Sequence, residues 1–301
     1  MLARLQQATT LGGLLLAAVW AVWCWQAGYP TWAIAGAALI IGGYALVLGL
    51  EFTLLYFAHA DDPAPRATPG RLLRAWWGEV RAAPLVFCWR QPFFSRRRPD
   101  HLPSTAIGQR GVLLVHGFLC NRGIWNRWLE RLTRADVPAV AVNLEPVFGS
   151  IDDYLPAIEA GMRLLEQHTG RAPIIVAHSM GGLALRLWCA QAGNAGRLHH
   201  AITIGTPHQG TWLARFGMSR NSRQMRRPSS WLQALARREG QEARSFTCFY
   251  SHCDNIVFPP STATLPGADN RHLPGIAHVD MADAPEPWLE LQRLLRADQL
   301  S

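Results

Sequence analysis

Three residues that could together carry out acyl transfer lie far apart in the chain. Ser179 stands within Ala177-His178-Ser179-Met180-Gly181-Gly182, Asp254 follows an apolar segment, and His278 precedes the last predicted helix. A serine that attacks an acyl carbon needs a base to take its proton and an acid to orient that base. Ser179, Asp254 and His278 could supply these three groups, so they are the predicted catalytic residues.

The serine lies at a predicted sharp turn between a strand and a helix. Ile174-Ile175-Val176 has the composition of a strand buried on both faces, and the segment 183–188 can form an amphipathic helix. Strain at such a turn exposes the hydroxyl, and Gly181 allows the strand and helix to approach, although Ala177 replaces the usual first glycine. The alternative is a corner at which Ser179 only caps the helix.

Stabilisation of an oxyanion requires backbone N–H donors near the nucleophile. The sequence His116-Gly117-Phe118 ends the first predicted strand, and its glycine lets the backbone turn toward the serine. We therefore expect the N–H groups of Phe118 and Met180 to hold the oxyanion. His116 is an alternative base, but its place beside this loop favours a supporting role.

Other titratable residues near the predicted site leave alternatives open. Asp269 and Asp280 are alternative acids and His272 is an alternative base, although all three are also explained as solvated loop residues. His178 and His252 lie next to candidate residues, which favours support of the pocket over catalysis.

From Gly108 onward, predicted strands and helices alternate. The strands are expected at 111–115, 138–143, 174–176, 200–204 and 245–250, and the helices at 121–135, 151–168, after Ser179, and at 285–295. Such alternation predicts a mostly parallel sheet covered by helices on both faces.

Three segments together resemble the bacterial triacylglycerol lipase and esterase branch of the α/β-hydrolase superfamily. The resemblance covers roughly residues 108–297 and rests on Val112-Leu113-Leu114-Val115-His116-Gly117-Phe118, on Ala177-His178-Ser179-Met180-Gly181-Gly182, and on Gly205-Thr206-Pro207-His208-Gln209-Gly210-Thr211. It implies an α/β-hydrolase fold and a pocket wall that includes His208. It also implies a triad of Ser179, Asp254 and His278, with Phe118 and Met180 as oxyanion donors.

The implied activity is hydrolysis of a carboxylic ester, typically of a lipid, through an acyl-enzyme, with no metal or organic cofactor. Residues 208–244 differ from an apolar lipase lid because this insert is short and basic, so it is either a small cap or a solvated loop. Triacylglycerols, monoacylglycerols, phospholipids and thioesters remain open as substrates. An acyltransferase that uses the same residues and a catalytically idle membrane scaffold are the alternative functions.

Two uncharged apolar segments, 11–29 and 32–50, predict a transmembrane helical hairpin, with membrane contact extending to residue 58. The turn at 28–31 contains no basic residue, whereas many arginines follow the second segment. The positive-inside rule then places the catalytic domain on the cytoplasmic side of a bacterial inner membrane. A cleaved signal peptide is the alternative. Glu51, near the end of the second segment, is assigned no role.

These features divide the chain of 301 residues into a hairpin (1–60), a connector (61–107) and a catalytic domain (108–301). Within the connector, the tryptophan-containing amphipathic stretch 71–80 either lies on lipid headgroups or packs against the domain. The net charge is +8, but no nucleic-acid-binding motif accompanies it, so a membrane surface is the expected partner. The six cysteines are scattered, which argues against a zinc site and favours a reducing compartment; only Cys248 and Cys253 are close enough to suggest a disulfide.

Overall fold

The N-terminal third of the chain is helical. The computed structural model describes residues 1–240 and 242–299, so residues 241, 300 and 301 of the predicted catalytic domain lie outside the described residues. The helices are α1 (Leu2–Gln26), α2 (Pro30–Gly42), α3 (Tyr44–Ala58), α4 (Pro69–Pro84) and α5 (Gln91–Phe94), and a π-helix (Leu85–Arg90) connects the last two.

Helix α1 is long and apolar enough to cross a bilayer. Its 25 residues extend over about 38 Å, and only 11% of its most apolar stretch is buried, unlike the core helix of a soluble protein. Helices α2 and α3 meet the same criterion only as a pair, bent by 53°. The second predicted span, 32–50, is therefore interrupted at Gly43 and continues to Ala58.

A sheet of six parallel strands follows, which confirms the predicted fold class. The strand order is β2-β1-β3-β4-β5-β6, with β1 (Val112–Val115), β2 (Ala139–Ala141), β3 (Ile174–His178), β4 (His200–Ile204), β5 (Phe246–Tyr250) and β6 (Asp269–His272). Strand β6 was not predicted. It pairs with β5 alone, at the edge of the sheet, and its polar sequence Asp-Asn-Arg-His lacks the apolar pattern of an internal strand.

Helices cover both faces of this sheet. They are α6 (Asn126–Arg134), α7 (Leu155–Thr169), α8 (Met180–Cys189) and α11 (Pro285–Gln299), whereas α9 (Arg220–Gln224) and α10 (Ser230–Arg238) belong to the insert 208–244. Leu113 of β1 packs in the cluster formed with α7 and α8, whereas its neighbour Leu114 packs in the cluster formed with α6 and α11. Because successive side chains of a strand point to opposite faces, both faces of β1 are buried.

The amphipathic stretch 71–80 lies in α4 and packs against the domain. Leu72 and Ala75 of α4 form one buried cluster with Phe52 of α3 and with Phe258 and Ala277 of the catalytic domain. This cluster holds the N-terminal helices against the loops that follow β5 and β6.

The basic insert 208–244 is also folded onto the domain. The Trp212 ring stacks on Phe258 at 5.8 Å, and the Arg226 guanidinium donates to Ala214 O and to Gly217 O at 2.7 Å. Arg226 therefore stabilises the insert itself. All six cysteines are free, including Cys248 and Cys253.

Candidate active site

Ser179 occupies a strained turn between β3 and α8. Its φ of 55° and ψ of −131° are uncommon for a residue with a side chain, and such strain is typical of functional sites. A Cβ atom at Gly117 would lie 2.7 Å from Ser179 Cβ, and one at Gly181 would lie 2.5 Å from His116 O. Both glycines are thus needed for the close approach of the loops. The Ser179 side chain makes no capping hydrogen bond to α8, contrary to the alternative interpretation.

The structure brings His278 and Asp254 together at the carboxyl edge of the sheet. His278 Nδ1 lies 2.9 Å from Asp254 Oδ2, and both side chains are buried. The other carboxylate oxygen accepts the N–H groups of Ile256 at 2.9 Å and Val257 at 2.8 Å. These bonds fix the carboxylate, which in turn favours the tautomer of His278 with its proton on Nδ1 and leaves Nε2 to act as a base.

The electrostatic surroundings of His278 raise its pKa in spite of its burial. Burial by itself lowers the pKa of His278, but the charge and hydrogen bond of Asp254 and the charge of Glu79 raise it more, so the net pKa lies above the usual 6.5. A general base is most effective when its pKa is close to the working pH.

The alternative acids and base have other partners. Asp269 forms an ion pair with Arg271 at 2.6 Å, and Asp280 lines a separate cavity of about 250 Å³ between α4 and the catalytic domain. His272 Nε2 lies 2.5 Å from His252 Nδ1. Among these candidates, the geometry favours Asp254 as the partner of His278.

Two buried histidines border the predicted catalytic groups. His116 Nδ1 donates to Gly117 O at 2.9 Å, and its Nε2 accepts the N–H of Leu144 at 3.0 Å. Burial lowers the pKa of His116 to about 4, so it is neutral and braces the loop after β1. His178 Nε2 lies 3.1 Å from His278 O, and burial lowers the pKa of His178 to about 3.

His208 lies away from Ser179. Its Nε2 is 3.0 Å from Thr203 Oγ1, its carbonyl accepts from Arg186 at 2.6 Å, and it lines another cavity of about 500 Å³. The side chain of His208 therefore does not form the wall of the cavity that contains Ser179.

A cavity of about 700 Å³ contains both Ser179 and His278. Phe118 also lines it, and Met180 is the first residue of α8, so its N–H has no partner within the helix. The oxyanion role of these two residues stays a prediction. Most of the remaining wall comes from α1 to α4 and the π-helix, and the insert 208–244 contributes no residue to it in the described part of the chain.

Two carboxylates from the N-terminal helices support the loop of His278, and sequence reasoning missed their role. Glu51 of α3 accepts from Asn255 Nδ2 at 2.7 Å, and Asn255 Oδ1 accepts the N–H of His278 at 3.2 Å. Glu79 of α4 accepts the N–H groups of Val279 at 3.0 Å and of its successor at 3.1 Å. Burial raises the pKa of Glu79 to about 7. The only indication in the sequence was that α3 and α4 each contain a single acidic residue among many apolar ones.

Gln6 of α1 connects the first helix to the loop after β1. Its Nε2 donates to Leu119 O at 3.3 Å and to Gln91 Oε1 at 3.2 Å. The same Gln91 oxygen accepts the N–H of Asn121 at 3.0 Å. The N-terminal helices thus contact the loops after β1, β5 and β6, which carry Phe118, Asp254 and His278.

Comparison with family models matches residues 112–298 to a family described as the alpha/beta hydrolase family. The chain belongs to this family. The match begins at the first strand, so α1 to α5 lie outside it. A search of curated proteins finds no match.

Two solved forms of one lipase share the fold of this alpha/beta hydrolase, and a third solved structure matches it less well. The mature form of Bacillus licheniformis lipase BlEst2 has a TM-score of 0.56 at 18% identity and covers 65% of this chain and 95% of its own. Its propeptide form has a TM-score of 0.55 at 18% identity, and the match covers 65% of this chain and 52% of the propeptide form. Aspergillus fumigatus lipase B has a TM-score of 0.47 at 19% identity, covering 58% and 48%.

Proposed function

We propose that this alpha/beta hydrolase is a membrane-anchored serine hydrolase that cleaves carboxylic esters of lipids. The observation that carries the proposal is the shared cavity: Ser179, at its strained turn, and His278, paired with Asp254 at 2.9 Å, both line one space. A nucleophile and an oriented base that face the same cavity are the minimum for acyl transfer.

The reaction follows from these groups. His278 takes the proton of Ser179 while the serine oxygen attacks the acyl carbon, and Asp254 stabilises the resulting imidazolium. The N–H groups of Phe118 and Met180 hold the tetrahedral oxyanion. The alcohol then leaves with the proton from His278. Water attacks the acyl-enzyme, with His278 again as the base, and the carboxylic acid leaves.

The chemistry of the cavity favours a lipid ester. The walls contributed by α1 to α3 are mainly apolar, with Leu14, Ile41 and Leu48 among them. An acyl chain gains free energy by leaving water for such a surface, whereas a polar substrate would leave unpaired groups there. The fold shared with BlEst2, which is described as a lipase, agrees with this substrate class.

Membrane anchoring by the hairpin is supported by the surface of the N-terminal helices. Leu15, Ile34 and Leu46 are between 65% and 67% exposed, within an apolar surface that a bilayer would cover. A cleaved signal peptide would remove Gln6, which binds the loop after β1. The first turns of α1 lie on the side of the catalytic domain, since Gln6 Nε2 donates to Leu119 O at 3.3 Å, as a hairpin requires.

With the arginine distribution, this arrangement supports a catalytic domain on the cytoplasmic side of a bacterial inner membrane. The corresponding organisation is a hairpin over 1–60, a connector over 61–107 and a catalytic domain from 108 onward.

The test is hydrolysis of p-nitrophenyl butyrate by the full chain in detergent micelles, together with labelling by a fluorophosphonate. We expect Ser179→Ala to abolish labelling and to lower kcat by at least roughly 10³-fold. Ser104 is exposed, so Ser104→Ala is the matched control and should retain both. A folded wild-type protein that neither hydrolyses the ester nor becomes labelled would contradict the proposal and favour the scaffold.

A further inference from the structure

The cavity that contains Ser179 extends away from the sheet into the N-terminal helices. Ser179 and Phe118 lie at one end, and Gly13 of α1 and Ile40 of α2 line the wall contributed by the helices. Helix α1 and the bent pair α2–α3 are also the candidate membrane spans. The space above the nucleophile is therefore enclosed by the segments with the most lipid-like surface.

A bend in the second span creates this space. Near the turn, α1 and α2 pack closely: Trp20 Nε1 donates to Trp32 O at 2.9 Å, and a Cβ at Gly36 would lie 1.9 Å from the same nitrogen. At Gly43 the chain bends by 53°, and a Cβ there would lie 2.5 Å from a backbone oxygen of the preceding turn. Helix α3 consequently diverges from α1.

The divergence is held by α4. The Tyr44 hydroxyl, at the start of α3, donates to Val80 O at 2.8 Å. Thr10 and Leu14 of α1 line the cavity opposite Leu48 of α3, so the cavity occupies the wedge between the two helices. We use "wedge" for this part of the cavity.

The dimensions and lining of the wedge suit a flexible apolar chain. The whole cavity, of which the wedge is a part, measures about 700 Å³, within the roughly 300–1,000 Å³ of small-molecule sites. The carboxylates in its wall, Glu51 and Glu79, already accept hydrogen bonds from Asn255 and Val279 beside the catalytic loop. The wall formed by α1 and α2 is apolar apart from two threonines.

We propose that the wedge binds the acyl chain of a lipid ester drawn from the bilayer, with its carbonyl carbon at Ser179. This inference rests on the proposed function and adds the site of the acyl chain and its route of entry. A chain that passes between α1 and α3 leaves one apolar environment for another, so the substrate reaches the nucleophile without exposing its acyl group to water.

Gly13→Trp tests the wedge. Gly13 lines the cavity, and a Cβ there would meet no atom within 4 Å, so a large side chain would fill the empty space. Gly13 is seven residues beyond Gln6, or about 10 Å along α1 from its contact with the loop after β1. A palmitoyl chain has twelve more carbons than a butyryl group, so of the two it is the one expected to reach a side chain at position 13 from a carbonyl carbon at Ser179.

The readout is the ratio of kcat/KM for p-nitrophenyl palmitate to that for p-nitrophenyl butyrate. Each methylene group of the palmitoyl chain that the new tryptophan keeps away from the apolar wall lowers kcat/KM for that ester by about fourfold. Excluding two methylene groups therefore lowers the ratio by about 16-fold. Gly12→Trp is the matched control. A Cβ at Gly12 would also meet no atom within 4 Å, but Gly12 is exposed and does not line the cavity. The palmitate-to-butyrate ratio of Gly12→Trp should therefore equal that of the wild type.

An unchanged ratio in Gly13→Trp would overturn the inference. If that variant does not fold, Leu48→Ala is the alternative test of the inference. The smaller side chain enlarges the wedge, so this variant should prefer acyl chains longer than palmitate more strongly than the wild type does. An unchanged chain-length preference would contradict the inference. Wild-type protein in phosphatidylcholine vesicles should hydrolyse p-nitrophenyl palmitate dissolved in the bilayer, and failure to do so would exclude this entry route. Inactivity of the wild type toward both esters would instead contradict the proposed function.

Discussion

Replacement of Glu79 by glutamine tests the energetic consequence of placing a carboxylate behind the His278 loop. The Glu79 side chain is 1% exposed. Burial raises its pKa from 4.5 to about 7, although the N–H groups of Val279 and Asp280 and the nearby His278 lower it in part. Glutamine keeps an oxygen that can accept the N–H of Val279, but it cannot ionise.

The sign of the pH effect follows from the two pKa values. The folded state binds the proton of Glu79 more tightly than the unfolded state, so the stabilisation is complete below pH 4.5 and is lost as the pH rises through 7. This difference corresponds to about 3 kcal/mol of unfolding free energy, most of it already present at pH 5. Relative to Glu79→Gln, the wild type should therefore lose about that much stability between pH 5 and pH 9.

The assay is denaturant unfolding in detergent micelles at several pH values for the wild type and Glu79→Gln. Glu286 is exposed in the first turn of α11, so Glu286→Gln is the matched control and should follow the wild type at every pH. The difference between wild type and Glu79→Gln cancels the titration of the other groups. Parallel stability curves for these two proteins would refute the reasoning, because they would mean that Glu79 does not change its protonation in this range.

Three further predictions concern the pair formed by His278 and Asp254. Asp254→Asn should lower kcat for p-nitrophenyl butyrate by roughly 10⁴-fold, since an amide cannot hold the required tautomer, whereas Asp280→Asn should change it little; similar losses in both would contradict the assignment. Because His278 must be neutral and its pKa is raised, kcat/KM should fall on acidification with a midpoint above pH 6.5, and a midpoint below this value would be the contrary result. In Gly205→Ala the new Cβ would lie 3.1 Å from Asp254 Oδ2 and from His278 Nδ1 at a φ of +57°, so stability should fall by about 1–3 kcal/mol and kcat should fall as well. Gly267 also has a positive φ, of +84°, but is remote from the pair, so Gly267→Ala should lower stability without lowering kcat. Equal losses of kcat in Gly205→Ala and Gly267→Ala would contradict this explanation.

The sequence was most informative where local pattern and tertiary structure agree. The apolar run at Ile174–Val176 is followed by small residues around Ser179, and both features are local, so the strand and its turn could be predicted. Asp254 and His278 could be proposed because each follows a strand or precedes a helix at the expected edge of a parallel sheet. Their distance of 2.9 Å depends on long-range packing and was not available from the sequence.

The features that could not be predicted depend on long-range contacts. Strand β6 exists because β5 offers it a free edge, while its own residues carry no apolar pattern. The bend at Gly43 lies within a continuous run of apolar residues, so the hydropathy of the sequence does not reveal it. The insert 208–244 was considered as a cap because of its position in the chain, but helices from the other end of the sequence enclose the cavity in the described structure.

Three of the loops that carry predicted catalytic groups are bound by residues that precede the region matched to the family. Gln6 binds the loop after β1, Glu51 accepts from Asn255 next to Asp254, and Glu79 binds the loop that carries His278. A buried N–H that loses its acceptor costs about 1–3 kcal/mol, so these loops would be destabilised if the N-terminal helices moved away. Displacement of α1 to α4 would therefore disturb the predicted oxyanion loop and the predicted base together, even with the sheet intact. The boundary near residue 108 marks a change in secondary structure, but the catalytic unit we propose extends across it.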